Sequence, residues 1–247
     1  MAIDRFYQPT TDATELTGSE AHHCLNVLRH AAGDRIVVFD GRGHELMAEI
    51  TATAKDHVSF KVLSRHATPR PAYSLTLVQA MPKGRPMEFI IQKATELGVS
   101  RIVPLISERV VIHLDDERVE SRLEKWRGMV IEAAKQCGQN WLPELEPVKS
   151  AKAFFDAAPG ADIATIGSLQ EGAVSFRKLF SEFESVHNRR PLSAIMVVGP
   201  EGDFTPAELN AARRIGYRPV TLGPIILRSD TAAIFSLSIL SYELQNA

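Results

Sequence analysis

The sequence has little cysteine and no long apolar run. Of its 247 residues only Cys24 and Cys137 carry a thiol, and the two form neither a CxxC pair nor a zinc-ligand spacing. We therefore expect two reduced thiols in an intracellular protein, and no zinc site. No apolar stretch approaches the ~20 residues that a membrane-spanning helix needs. The opening MAIDRFYQPT lacks the apolar core of a signal peptide, so we expect a cytoplasmic protein without membrane contact.

An excess of positive charge is also missing. The formal net charge is −2, and residues 1–70 carry 8 Lys and Arg against 9 Asp and Glu. Any binding of nucleic acid must therefore depend on a local patch, because the chain as a whole offers no positive field. The hydrophobic content of 45% and the charged content of 23% are ordinary for a globular protein.

The chain divides by pattern at about residue 70. Before it, short alternating segments predict a small β-rich unit with one helix from Thr17 to His30, capped by Thr17 or Ser19 with Glu20 as its partner. RHATPRPA, at 65–72, reads as a linker. From Tyr73 strands and helices alternate, which predicts an α/β domain with a mostly parallel sheet and helices on both faces. The predicted domains are residues 1–70 and 73–247.

The segment LGPIILRSDTAAIFSL (222–237) joins a turn to the last helix. Gly223 and Pro224 end the preceding strand, and Ser229 is the predicted N-cap. The residues after it are apolar or small on every side, so we expect this helix to be buried all round. Arg228 then lies where a turn meets a buried helix, as either a structural tie or a functional cation.

A glycine-rich loop follows the strand that precedes this region. AIMVVGPEGDF (194–204) predicts a buried strand and a turn, and Thr205, Pro206 and Glu208 predict a capped helix after it. The loop is neither GxGxxG nor a P-loop. Three glycine-containing loops follow predicted strands and carry few ionisable side chains: IGSLQEG, VGPEGDF and LGPIILRSD. Such loops favour an apolar cofactor held by backbone groups over a triphosphate.

Other chemistry finds little support in the residues. No GxSxG motif is present for a serine hydrolase. Adjacent helical residues point about 100° apart, so His22 and His23 cannot chelate one ion together, and we expect no metal site. Arg5 stands beside Phe6 and Tyr7, a combination that can hold phosphate and stack a base, although a short edge strand explains it equally well.

Several ordered motifs resemble one family. GPEGDF, LGPIILRSDTA and HHCLNVLR…GDRIVVFDGRG resemble the RsmE proteins, 16S rRNA (uracil(1498)-N(3))-methyltransferases of the SPOUT superfamily. KGRPMEFIIQKATELGVSRIVPLISERVV and KWRGMVIEAAKQCGQ are similar to its central segments. The resemblance covers essentially the whole chain. It implies a PUA-like RNA-binding β-barrel, then an α/β domain with a trefoil knot, S-adenosylmethionine as cofactor, and a homodimer that acts on 16S rRNA within the small ribosomal subunit.

The resemblance also implies roles for individual residues. Arg228 should be the active-site arginine. As a hypothesis about mechanism, Glu201 or Asp230 could accept the proton of the target base, or the proton could be lost to water. The implied cofactor-binding residues are Gly167, Leu169, Gly199, Glu201, Gly202, Leu222, Gly223, Ile226 and Leu227. The implied RNA-binding residues are Arg5, His22, His23, Asn26 and Arg29.

Several positions depart from the family pattern. Asp203 replaces a glycine, Ile225 an arginine, Asp230 a glutamate, Lys135 an acidic residue and Gln139 an arginine. The segment KGRPME also stands where the family has KGDKME-like sequences. These departures motivate two alternatives to N3-methylation of 16S rRNA. One is a non-catalytic rRNA-binding or ribosome-assembly factor, and the other is a methyltransferase for a different RNA.

Overall fold

The computed structural model describes residues 3–10, 12–84, 86–109, 116–170 and 172–246. The chain forms two compact units. The first consists of residues 1–70 and 131–142, and the second of residues 71–130 and 143–247. Residues 131–142 therefore group with the amino-terminal part of the chain, although the sequence pattern had assigned them to the second domain.

The first unit is built on a five-stranded sheet. Its strands are β1 (Arg5–Tyr7), β2 (Glu15–Thr17), β3 (Arg35–Phe39), β4 (His44–Ala54) and β5 (His57–Ala67). The order is β1-β3-β4-β5-β2, so β1 and β2 are edge strands. Only the β1–β3 pair is parallel. Apolar side chains at two-residue spacing along β3, β4 and β5 fill one core on the inner face.

The hairpin between β3 and β4 turns at the predicted Asp-Gly pair. Gly41 has φ +72° and Gly43 has φ +97°, both in the region that favours glycine. The buried Asp40 carboxylate accepts hydrogen bonds from the amides of Arg42 (2.7 Å) and His44 (3.0 Å) and from His44 Nδ1 (2.8 Å). Burial alone would raise the pKa of Asp40, but these hydrogen bonds outweigh it and lower that pKa.

The helix predicted from Thr17 to His30 is shorter and less regular than expected. Helix α1 spans Gly18–His22 and continues as a π-helical turn over His23–Val27. Thr17 occupies the N-cap position without a side-chain hydrogen bond. Glu20 instead accepts from the Tyr7 amide (3.0 Å) and from Lys135 Nζ (3.2 Å), so tertiary partners replace the predicted capping box. Strand β5 also continues to Ala67, which shortens the predicted linker.

The second unit is a parallel sheet with helices on both faces, as predicted. Its elements, in chain order, are β6 (Ser74–Ala80), α2 (Pro86–Glu96), β7 (Arg101–Ile106), α3 (Asp116–Cys137), β8 (Glu144–Leu145), β9 (Lys149–Ser150), α4 (Ala151–Asp156), β10 (Ile163–Gly167), α5 (Phe176–His187), β11 (Ser193–Val198), α6 (Pro206–Arg214), β12 (Arg218–Val220) and α7 (Ser229–Gln245). From residue 131 onward, α3 belongs to the first unit. The strand order is β12-β10-β11-β6-β7-β8, with β9 also pairing with β7. Strand β11 thus lies between β6 and β10, where the direction of the chain across the sheet reverses.

The sheet buries both of its faces. On one face, α4 and α6 cover an aromatic and aliphatic core that includes Phe154, Phe155 and Tyr217. Helix α7 packs against β6, β11 and α2. The sequence had predicted that this helix is buried on every side. That prediction is wrong, because an exposed stripe runs along the helix. The stripe consists of Thr231, Phe235, Ser238, Tyr242 and Gln245.

Candidate active site

A pocket lies at the carboxyl ends of the strands in the second unit. It is formed by the loops that follow β10 and β11, by the segment between β12 and α7, and by the first turn of α7. Open parallel sheets bind ligands at this edge, near the point where the strand order reverses. The lining residues are Gly167, Ser168, Leu169, Met196, Val198, Gly199, Pro200, Glu201, Asp203, Leu222, Gly223, Ile225, Ile226, Leu227, Ser229 and Ala232.

Eight of the nine residues implied as cofactor-binding line this pocket. The ninth, Gly202, does not line it, but lies between two residues that do. The other lining residues lie in the three loops that the sequence had predicted to hold the cofactor, except for Met196 and Ala232, although none of them was named individually as cofactor-binding. Met196 and Val198 could have been found from strand alternation, because they lie on one face of β11, two residues apart.

The pocket rim exposes apolar side chains. Leu169 is 63% exposed, Ile225 69% and Ile226 79%. Three large aliphatic side chains around a glycine-rich depression are costly to leave in water. Among the described residues of the lining, Glu201 and Asp203 alone are ionisable. The arrangement therefore suits a ligand with a large apolar surface whose polar groups meet backbone N–H and C=O groups.

Ser229 ties two of the pocket segments together. Its hydroxyl donates to the Gly199 carbonyl (2.8 Å) and accepts from Gln79 Nε2 (2.9 Å), and both Ser229 and Gln79 are buried. The predicted N-cap role of Ser229 is therefore wrong. Arg228 holds the N-cap position of α7 and Ser229 is the first helical residue, because its hydroxyl is used for these tertiary contacts.

The loop after β11 has a constrained backbone. Asp203 has φ +60°, and its Oδ1 accepts from the following amide of Phe204 (2.7 Å). Aspartate is one of the few non-glycine residues that adopts this conformation, which explains how Asp203 can stand where the family pattern has glycine. The predicted capping box is confirmed, since Thr205 and Glu208 exchange hydrogen bonds at the start of α6.

Glu208 also holds this loop to a neighbouring one. The carboxylate is buried, and its Oε1 accepts from the Glu108 amide (3.0 Å) while its Oε2 serves the capping box. Arg109 donates to the Gly202 carbonyl. On the pocket side, both carboxylate oxygens of Glu201 accept from the Lys83 amide, at 3.1 and 3.3 Å. A backbone donor thus orients Glu201 and leaves it at the pocket lining.

Arg228 lies exposed between the pocket lining residues Leu227 and Ser229. Its carbonyl accepts from the Ala232 amide (2.8 Å), which begins the helix, and its guanidinium forms no ion pair with a residue in the described part of the chain. Asp230 accepts from the Thr231 amide in the first turn, where the helix dipole favours a carboxylate. Arg228 itself is not a lining residue, but it stands between two residues that are, and its side chain has no ion-pair partner among the described residues.

The residues implied as RNA-binding lie in the first unit in different environments. His22, Asn26 and Arg29 are exposed. His23 is half-buried, and its Nδ1 accepts from Lys135 Nζ (2.9 Å). Arg5 is only 14% exposed. It donates to Glu45 (2.9 Å) and Asn140 and its guanidinium lies over the Phe39 ring, so it is engaged inside the unit.

The described residues contain no group of three or more His, Cys, Asp and Glu side chains placed to hold a metal ion. No helix among them is long and apolar enough to cross a membrane.

Two family profiles match the chain. The profile described as RNA methyltransferase domain matches residues 68–241, and the profile described as RNA methyltransferase PUA domain matches residues 16–63. Ribosomal RNA small subunit methyltransferase E of Bacillus subtilis is 32% identical over 237 residues, which cover 92% of this chain and 89% of that protein. The chain belongs to this RNA methyltransferase family. The family predicted from the motifs is thereby confirmed.

Solved structures of relatives share the architecture over the whole chain. Ribosomal RNA small subunit methyltransferase E of Neisseria gonorrhoeae, solved with S-adenosylmethionine, is 30% identical with a TM-score of 0.84 and covers 98% of each chain. A Legionella pneumophila protein, solved with the same cofactor bound, is 30% identical with a TM-score of 0.88 and also covers 98% of each chain. The predicted α/β class with an amino-terminal PUA-type unit is confirmed for this family member.

Proposed function

We propose that this protein transfers a methyl group from S-adenosylmethionine to N3 of a uridine, position 1498, in 16S rRNA of the small ribosomal subunit, in the cytoplasm. The observation that carries the proposal is the glycine-rich pocket at the carboxyl ends of β10 and β11, in a family with relatives solved with this cofactor. The alternatives of an assembly factor or another RNA substrate are outcomes of the test below.

The residues of the pocket fit S-adenosylmethionine. The exposed Leu169, Ile225 and Ile226 offer apolar surface for an adenine ring, and the loop glycines leave backbone groups accessible to polar atoms. Space is limited at Gly199, where an added Cβ would lie 3.3 Å from the Phe204 ring. When bound, the cofactor supplies an electrophilic methyl group on a sulfonium. We propose that the nine residues implied by the family motifs hold it.

Arg228 and Glu201 are the proposed catalytic residues. Uracil N3 carries a proton and is a poor nucleophile until that proton leaves, so negative charge develops on the ring and its carbonyl oxygens. The guanidinium of Arg228, whose neighbours Leu227 and Ser229 line the pocket, would stabilise that charge. Glu201, oriented by the Lys83 amide, would accept the proton. Asp230 is the alternative acceptor, from the first turn of α7.

The first unit is the proposed RNA-binding domain and the second the proposed catalytic domain. His22, Asn26 and Arg29 are exposed and would contact RNA directly. Arg5, engaged by Glu45, would act by supporting the surface around it. A target base held in a duplex cannot enter a pocket between loops, so we propose that the uridine is unpaired or flipped.

A homodimer is proposed from the exposed stripe on α7. Phe235 and Tyr242 are large aromatic side chains exposed on a helix that is otherwise packed, and such residues are enriched in protein interfaces. Tyr242→Glu should convert the dimer to a monomer in sedimentation experiments. Val186→Glu, which alters an exposed apolar residue on α5, is the matched control. A wild-type monomer at micromolar concentration would contradict the proposal.

The trefoil knot also remains a proposal. It is supported by the insertion of β11 between β6 and β10 and by the bond from Ser229 to Gly199, which holds the segment after β12 against the loop after β11. An experimental structure would refute the knot if its backbone could be drawn out at both termini into a straight, unknotted chain.

The proposed activity is tested by transfer of labelled methyl from S-adenosylmethionine to small ribosomal subunits that lack the modification. Digestion to nucleosides and chromatography should identify the product as 3-methyluridine. Label in another nucleoside, or only on another RNA, would favour the methyltransferase of different specificity. Absence of both transfer and calorimetric cofactor binding would favour the assembly factor.

Arg228→Ala tests the catalytic assignment within the same assay. We expect cofactor affinity to be retained and turnover to fall by about 10²-fold or more, the range for loss of one charge-stabilising group. Arg214→Ala, which removes an exposed arginine near the end of α6, is the matched control and should keep full activity. Equal loss of cofactor binding and turnover in Arg228→Ala would make Arg228 structural.

A further inference from the structure

A basic and aromatic surface in the first unit lies outside the five residues that the resemblance implies for RNA binding. Segments 41–44, 65–70 and 139–142 contain no acidic residue. They carry Arg42, His44, Arg65, His66, Arg70 and Trp141. In a chain with a net charge of −2, this is a local concentration of positive charge.

Backbone hydrogen bonds join three segments of this surface. The Gly43 amide donates to the Asn140 carbonyl (2.9 Å), the Thr68 amide to the Gly43 carbonyl (2.7 Å), and the Leu142 amide to the Gly41 carbonyl (3.0 Å). Arg42 and Trp141 are antiparallel bridge partners, so their side chains leave the backbone as neighbours. The surface is therefore a fixed arrangement although its residues are distant in sequence.

The Trp141 ring is held rigidly at the centre. Its Nε1–H donates to the Thr68 carbonyl (3.0 Å). Its ring lies so close to Gly43 that an added Cβ would approach Trp141 Cε2 and Cζ2 to 2.6 Å, which explains the glycine. The guanidinium carbon of Arg70 lies 5.6 Å from the centre of the ring. A guanidinium held against an indole presents its other face outward, and bases stack on such planes.

Cationic and polar groups flank this stack. Arg42 is exposed, and its side chain has no partner among the described residues. His44 is 54% exposed and is oriented by the buried Asp40 through Nδ1, so its Nε2 remains free to accept from a ribose hydroxyl. Glu45, the nearest acid along β4, is already paired with Arg5. Asp40 thus faces His44 and Glu45 faces Arg5, whereas the Arg42 guanidinium has no acidic partner among the described residues.

We infer that Trp141, Arg70, Arg42 and His44 form a second contact for single-stranded RNA, in which one base stacks on the Arg70 guanidinium and Arg42 and His44 hold the adjoining backbone. The inference rests on the proposed function, because it names a further part of the RNA that the protein would recognise. Aromatic and arginine platforms beside basic groups are how proteins bind unpaired nucleotides with little sequence preference.

The test uses the full-length protein and an oligouridylate of about ten nucleotides, a length within the range bound by comparable sites. The chain has two tryptophans, and Trp126 is buried. A change of fluorescence on titration therefore reports on Trp141. Arg70→Ala should weaken binding about tenfold, the size of one lost stacking contact. Arg70→Lys keeps the charge but loses the plane and should recover only part of the affinity.

Arg42→Ala should reduce the slope of log affinity against log salt by about one, because one phosphate contact is lost. Arg35→Ala is the matched control. Arg35 is an exposed arginine at the opposite end of β3, about 15 Å along the strand from the turn. It should leave affinity and salt slope unchanged. Circular dichroism of each variant checks that the unit remains folded.

Three results would overturn the inference. The first is equal affinity of Arg70→Ala and Arg35→Ala for the oligouridylate. The second is binding of duplex RNA as tight as that of the single strand. The third is weaker binding of Arg70→Ala to small ribosomal subunits but not to RNA, which would assign the surface to a ribosomal protein. The methyl-transfer assay separates this inference from the proposed function. If the wild type is active but its affinity for RNA is unchanged in Arg70→Ala, only the inference is refuted. If the wild type is inactive but binds the oligouridylate more tightly than Arg70→Ala does, only the proposed function is refuted.

Discussion

Removal of the Ser229 hydroxyl should destabilise the second unit and weaken the pocket. In Ser229→Ala, the Gly199 carbonyl loses a donor at 2.8 Å and Gln79 Nε2 loses an acceptor at 2.9 Å. Gln79 is fully buried and keeps only its bond to the Ala80 carbonyl. A buried polar group left without a partner costs about 1–3 kcal/mol, so we expect a loss of about 2 kcal/mol in the free energy of unfolding.

For a chain of this size, that loss corresponds to a fall in Tm of about 4–8 °C. Urea denaturation measures the free energy, and calorimetric titration with S-adenosylmethionine measures the pocket. Affinity should fall as well, because the loop after β11 and the start of α7 are no longer held together. Ser238→Ala on the exposed side of the same helix is the matched control. Its hydroxyl bonds only within the helix, to Ile234 (2.8 Å), and its loss should change stability by under about 0.5 kcal/mol.

Gln79→Met sharpens the test. Gln79 Oε1 is buried and has no hydrogen-bond partner among the described residues, so an apolar side chain of similar shape removes a cost along with a bond. This variant should therefore lose less stability than Ser229→Ala, and the double variant should lose less than the sum of the two. The reasoning is refuted if Ser229→Ala and Ser238→Ala are equally stable, or if Gln79→Met is the more damaging change.

Three further predictions concern the backbone, the thiols and pH. Asp203→Gly should change stability by under about 0.5 kcal/mol in urea denaturation, whereas Asp203→Val should cost about 2 kcal/mol because φ is positive there. In the folded protein a thiol reagent should modify the exposed Cys137 but not Cys24, whose burial raises its pKa to about 11. The hydrogen bond from Arg189 lowers the pKa of Asp162 from 3.8 to about 2, so its contribution to stability is complete above pH 3.8 and is lost as pH falls towards 2. Allowing for solvent screening, Asp162→Asn should therefore cost about 1 kcal/mol at neutral pH and flatten the acid limb of the stability curve.

Each of these has a contrary outcome. Equal stability of the valine and glycine variants at Asp203 would show that the loop relaxes out of the positive-φ conformation. Rapid modification of both thiols without denaturant would show that the first unit opens readily. An unchanged acid limb in Asp162→Asn would mean that the pair with Arg189 is fully solvated.

The alternation of apolar segments predicted the parallel sheet well. Apolar residues recur every two positions in strands and every three to four in helices, so the two can be told apart. Glycines such as Gly98 and Gly138 predicted helix ends that the structure confirms. The capping box of Thr205 and Glu208 was predictable because it depends on residues three positions apart. The three loops of the pocket were predictable because they follow buried strands.

Features decided by tertiary partners were not predictable. Ser229 has the composition of an N-cap, but Gln79, distant in sequence, competes for its hydroxyl. Glu20 likewise leaves its capping box for Lys135 and the Tyr7 amide. The exposed stripe on α7 was not predicted, because Phe235 and Tyr242 lie within it and the helix therefore has no continuous polar face in its sequence. Short elements such as β8, β9 and α4 carry too few residues for a recognisable period.

The pocket has a consequence for the order in which the chain acquires structure. Strand β6 pairs with β11, more than a hundred residues later, and the lining continues to Ala232. Such pairings have high contact order and form slowly, because a long loop must close first. A nascent chain must extend beyond residue 232 before a complete pocket exists. The ligand can therefore stabilise the finished protein by mass action, but it cannot help the shorter chain to fold during synthesis.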